Sequence, residues 1–129
     1  MTDLKRILYV EDEPDIQELV KIALCELGGF ELLVCSSGTD AIARVVNFSP
    51  DLFLLDVMMP GMNGPDTLKA LKAIPELDTI PAIFMTAKVQ TDEINELKKM
   101  GAMGVIAKPF NPVTLADDIK EIYRAHSNE

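Results

Sequence analysis

Polar groups able to do chemistry stand where apolar runs stop. Glu11-Asp12 follows Arg6–Val10, Asp56 follows Leu52-Phe53-Leu54-Leu55, Thr86 follows the run 80–85, and Lys108 follows 104–107. Three carboxylates gathered at one place repel one another and need a proton or a cation. Donors that are all oxygen suit Mg²⁺ or Mn²⁺. Zn²⁺ prefers His and Cys, and the single histidine, His126, stands near the end of the chain. A divalent cation on one side and the Lys108 ammonium on the other would clamp a phosphoryl group, with the Thr86 hydroxyl as a further donor. Inside such a clamp a carboxylate can act as nucleophile and form an acyl phosphate.

For these groups to meet, the apolar runs must be strands of one sheet with their carboxyl ends together. The pattern between the runs is helical. Pro14 suits a first helical turn, Ile16, Leu19, Val20, Ala23, Leu24 and Leu27 recur at helical spacing, and Gly28-Gly29 ends that helix. A strand is expected over 30–35, a turn at Ser36-Ser37-Gly38, and a helix over 40–48 with Ala41, Ile42, Val45 and Val46 inward. The run 52–55 is continuously apolar, as in a strand buried on both faces. A Pro- and Gly-rich loop over 58–64 leads to a helix over 65–74, with Gly61 and Gly64 as backbone turns. A helix over 91–100 has Thr91 as its expected N-cap, with Ile94 and Leu97 inward. Asn111 is expected to cap a last helix with Pro112 in its first position. Residues 1–125 form one domain, and 126–129 read as a frayed tail.

Five βα units in so short a chain predict an α/β, flavodoxin-like (βα)5 fold. Its parallel sheet would have order 2-1-3-4-5 and helices on both faces. Ligands bind such sheets beyond the carboxyl ends, at the switch point between strands one and three. Glu11, Asp12 and Asp56 would meet there, with Asp56 central and favoured as nucleophile.

Composition narrows the function. The 129 residues carry a formal charge of −9, which disfavours nucleic acid and anionic membranes as partners. No run of 18 apolar residues and no signal-peptide layout is present, so a cytoplasmic location is expected. Cys25 and Cys35 read as small buried hydrophobes. Met85 reads as core, and Met59 and Met62 stay open between core and binding surface.

The runs Glu11-Asp12-Glu13-Pro14, Leu55-Asp56-Val57-Met58-Met59-Pro60-Gly61-Met62-Asn63-Gly64, Thr86-Ala87-Lys88 and Lys108-Pro109-Phe110 resemble the signature set of response-regulator (CheY-like) receiver domains. The resemblance covers essentially the whole chain. It implies that Asp56 is the phosphoacceptor, that Asp12 holds Mg²⁺ directly and Glu11 mostly through water, and that Met58 adds a backbone carbonyl. It further implies that Thr86 Oγ and the Ala87 N–H bind phosphoryl oxygens, that Lys108 pairs with Asp56 or the phosphoryl group, and that Lys108–Pro109 is cis. Met58 and Lys88 would lie over the phosphoryl group. Val105 stands where many members of the family carry a Tyr or Phe. The implied partners are a sensor histidine kinase or phosphotransfer protein and a downstream protein. The implied chemistry is the chain's own phosphorylation and dephosphorylation, not turnover of a substrate.

Other classes fit less well. A flavin or nucleotide carrier would want a Gly- or Ser/Thr-rich phosphate loop where Glu11-Asp12-Glu13 stands. An aspartyl phosphohydrolase would want an acid where Met58 stands. A receiver-like module that is never phosphorylated would not need the whole Asp–Thr–Lys set. Without a basic patch or helix-turn-helix, the chain is expected to act through a protein partner or as a piece of a larger regulator.

Overall fold

The computed structural model describes residues 4–87 and 90–127. Five strands alternate with five helices: β1 (Arg6–Val10), α1 (Pro14–Lys21), β2 (Glu31–Cys35), α2 (Gly38–Phe48), β3 (Leu52–Asp56), α3 (Gly64–Lys72), β4 (Ala82–Thr86), α4 (Thr91–Lys99), β5 (Ala102–Ala107) and α5 (Leu115–Ser127). All pairings are parallel and the strand order is 2-1-3-4-5, as the βα alternation predicts.

The sheet is covered on both faces, which is why β3 and β4 are apolar without alternation. On one face Leu8, Val10, Phe53, Leu55 and Phe84 pack with Ala41 and Val45 of α2, Leu68 and Leu71 of α3, and Leu97 of α4. On the other, Ile7, Tyr9, Leu52, Leu54 and Met85 pack with Val20 of α1 and Leu115, Ala116 and Ile119 of α5. Among the described residues no helix is long and apolar enough to cross a membrane.

Several local expectations give way. The first helix passes from α into a π turn over Ile22–Glu26, in which the Leu27 N–H reaches the Ile22 carbonyl. That turn holds one residue more than an α turn, so later side chains swing by about 100°. Leu27 therefore points outward, 60% exposed; Leu19, beside the narrow buried stripe, is 41% exposed. Cys25 on the same turn is exposed, whereas Cys35 is buried, and both are free thiols. The second helix begins at Gly38 inside the expected turn, because the Ser37 side chain accepts the Asp40 N–H as a cap. Val46 faces solvent on that helix. A short 3-10 turn, Pro75–Leu77, follows α3. Gln90, not Thr91, precedes α4, without a side-chain cap bond. Asn111 accepts the Val113 N–H, but its turn precedes α5 by several residues instead of starting it. His126 and Ser127 continue α5, where a frayed tail was expected; residues 128–129 lie outside the described residues.

Candidate functional site

Ladder hydrogen bonds run one step past the strand ends and deliver the polar groups to a common rim. The Glu11 N–H reaches the Cys35 carbonyl, the Val57 N–H the Met85 carbonyl, and the Lys108 N–H the Thr86 carbonyl. Val10 pairs with Leu55, so Glu11 follows on β1 as Asp56 does on β3. The loop after Asp56 returns tightly, with the Gly64 N–H on the Val57 carbonyl. A side chain at Gly64 would collide with the Asp56 carbonyl, which is why α3 can open directly behind the strand. Asn63 caps α3 by accepting the Asp66 N–H.

Lys108 is the hub of the rim. Its Nζ lies 2.7 Å from Glu11 Oε1 and 3.0 Å from Asp56 Oδ1. One ammonium thus faces two buried carboxylates, leaving an excess of one negative charge. The Asp12 carboxylate is close by, and oxygens of Glu11, Asp12 and Asp56 lie within 4.8 Å of one another. Burial pushes the Asp56 carboxyl up to about 6; repulsion from Glu11 adds to this, and the Lys108 hydrogen bond opposes it. Burial also works to lower the Lys108 ammonium, but the hydrogen bonds and charges of Glu11 and Asp56 outweigh it and raise its pKa. The oxygen-only donors and their uncompensated charge fit a hard divalent cation.

Of the residues expected at the site, Glu11, Asp12, Asp56 and Lys108 come together as described. Thr86 is buried at the end of β4. It lines a cavity of about 390 Å³ with Val57, Met58, Asp92, Glu93, Glu96 and Leu97. Met58 is 67% exposed on that cavity, and Met59 is buried in the core. Ala87 is exposed beside the rim, and Lys88 lies outside the described residues. The Lys108–Pro109 bond is cis.

Two contributors went unnoticed in the sequence. The Tyr9 hydroxyl donates to Glu11 Oε1 at 3.2 Å, deep in the core. Burial pushes the Tyr9 hydroxyl far above the usual tyrosine range, with the Glu11 charge adding, so it stays a donor. Gln17 Nε2 donates to the Glu11 main-chain carbonyl at 2.6 Å and to Ser36 Oγ at 3.3 Å. The Tyr9 contact had a signal: positions two apart on a strand share a face.

Residues 7–120 match the family model described as the response regulator receiver domain. The phosphate regulon transcriptional regulatory protein PhoB of Pseudomonas aeruginosa is 38% identical over 120 residues, 93% of this chain and 52% of that protein. The DNA-binding response regulator MtrA of Mycolicibacterium smegmatis is 35% identical over 97% of this chain and 53% of its own length. The chain thus spans about half the length of these two relatives. Sporulation initiation phosphotransferase F of Bacillus subtilis is 36% identical over 96% of this chain and 98% of that protein. Among solved structures, chemotaxis protein CheY4 of Vibrio cholerae superposes with a TM-score of 0.85 at 28% identity, covering 93% of this chain and 99% of that one.

Proposed function

This chain belongs to the family of response regulator receiver domains, and from that premise we propose that it takes a phosphoryl group onto Asp56 beside a bound Mg²⁺ or Mn²⁺. The observation that carries the reading is Lys108 Nζ within 3.0 Å of both Glu11 and Asp56, with Asp12 completing a cluster of three carboxylates. Glu11, Asp12 and Asp56 would hold the cation, with the Met58 carbonyl as a further ligand. When bound, it supplies positive charge against the gathered carboxylates and the incoming phosphoryl oxygens.

A carboxylate oxygen of Asp56 attacks phosphorus. The P–N bond of a phosphohistidine donor breaks, and its electron pair stays on the imidazole, which takes up a proton. Lys108 turns its ammonium to the phosphoryl oxygens, and Thr86 Oγ and the Ala87 N–H donate to them. The donor is a sensor histidine kinase or a phosphotransfer protein. Met58 offers no acid or base for turnover of other substrates, so the chemistry ends with the chain's own phosphorylation and its reversal.

The signal leaves through β4, α4, β5 and α5. The cavity between Thr86 and α4 supports this, because it gives that side of the sheet room to move when Thr86 engages the phosphoryl group. Val105, half-buried against the core, is too short and stiff to act as a rotating ring, so backbone shifts carry the coupling. A downstream protein reads that face. The expectation that nucleic acid is not bound concerns the acidic surface of these 129 residues alone, since MtrA, similar over 53% of its length, is named a DNA-binding regulator.

With a small phosphodonor and Mg²⁺, the intact mass should rise by one phosphoryl group, and Asp56→Asn should abolish the rise. Equal labelling of the Asn variant would refute the assignment.

A further inference from the structure

We infer that Tyr9 is a positioning residue for the cation site, turning the Glu11 carboxylate so that one oxygen is committed to the protein and the other is offered to the metal. The inference rests on the cation-binding reading above and adds to it a residue from inside the core.

The two oxygens of Glu11 have unequal surroundings. Oε1 takes two donors, the Lys108 ammonium at 2.7 Å and the Tyr9 hydroxyl at 3.2 Å. Among the described residues, the hydrogen bond to Oε2 is a single long one, from the Glu13 N–H at 3.3 Å. An oxygen that already accepts two hydrogen bonds is a poor ligand, and one that is nearly free is a good one. The pair of donors thus fixes the rotation of a carboxylate that stands with Asp12 and Asp56 in the cluster. Tyr9 is suited to this because it has no exposed surface and packs with Ile7 and the α1 and α5 side of the core. Lys108 alone cannot hold the carboxylate in this way, because it also serves Asp56 at 3.0 Å and must leave when a phosphoryl group arrives. Tyr9 keeps Glu11 in place while Lys108 changes partner. Removing a group that orients a metal ligand from behind typically weakens metal binding by about 10- to 100-fold.

The chain has two tyrosines and no tryptophan, so absorption and emission in the tyrosine band come from Tyr9 and Tyr123. In the full chain, Mg²⁺ titration should perturb a tyrosine signal that persists in Tyr123→Phe and vanishes in Tyr9→Phe. Calorimetric titration should show Tyr9→Phe binding Mg²⁺ about tenfold more weakly than wild type. Circular dichroism and a cooperative melt would show that the variant is folded; should it be unfolded, the Tyr123→Phe titration alone decides through the Tyr9 signal. Wild-type affinity in a folded Tyr9→Phe, or a Mg²⁺-insensitive Tyr9 in a chain that binds Mg²⁺, would overturn the inference and leave the metal reading intact. Failure of the wild type to bind Mg²⁺ at all would overturn both.

Discussion

At the scale of single residues, Asp56 is held between burial, which favours its neutral form, and Lys108, which favours its anion. Burial wins, and the carboxyl rises from 3.8 to about 6. The folded state therefore keeps the proton longer than the unfolded chain does. The stability this proton lends is complete below about pH 4 and is lost as pH rises to about 6. Asparagine has no charge to bury. In EDTA near pH 7.5, Asp56→Asn should be more stable than wild type by on the order of 2–3 kcal/mol. The advantage should vanish near pH 4. Urea titrations at the two pH values measure it, and a variant no more stable than wild type near pH 7.5 would contradict the assignment. Glu11, Asp56 and Lys108 were legible in the sequence because strand ends in a parallel sheet are constrained to one rim. Tyr9 was not, because a tyrosine in an apolar run reads as core, and only the strand's two-residue repeat links it to Glu11.

At the scale of elements, the strands were easier to read than the helices. An apolar run of five residues has few alternative fates, whereas a helix face depends on an unbroken turn. The π turn after α1 broke the phase and exposed Leu27, and no residue in Ile22–Glu26 announces an i→i+5 bond. The start of α2 was hidden because Ser36, Ser37 and Gly38 suit a turn as well as a capped first turn. α4 is lightly anchored: within its span only Leu97 is buried, and Asp92, Glu93, Glu96 and Leu97 border the cavity beside Thr86. An element so lightly anchored is the one a change at Thr86 moves most easily. Amide exchange on the free and phosphorylated forms should differ most in α4 and β5, by about 1 kcal/mol or more of opening free energy. Changes confined to α1 and α5, with α4 silent, would move the output surface elsewhere.

At the scale of the whole molecule, the strand order followed from counting βα units, since five of them with right-handed crossovers leave few ways to cover both faces of a sheet. Order and handedness also divide the crossover helices, α1 on the face of Tyr9 and Leu54 and α2, α3 and α4 on that of Phe53 and Phe84; what they do not place is α5, which follows the last strand and packs on the α1 face. The formal charge of −9 puts a general cost on compaction, and the rim concentrates part of it. A cation bound only by the folded chain should stabilise it by mass action. At Mg²⁺ ten times its dissociation constant the gain is about 1.4 kcal/mol, or roughly 4 °C in melting temperature. Asp12→Ala should lose most of that gain. A melting temperature indifferent to Mg²⁺ in the wild type, or an equal rise in the variant, would count against the site.

The ammonium that compensates Glu11 comes from 97 positions further along the chain. During synthesis, both acids leave the ribosome long before their counter-charge exists. A nascent chain or proteolytic fragment that retains β1 and β3 but lacks β5 has no Lys108 to set between them, and no neighbour for the outer edge of β4. On the function proposed above, Asp56 would therefore gain its clamp only once β5 has docked, and a phosphoryl group taken up there would report that the strand bearing Lys108 is in place.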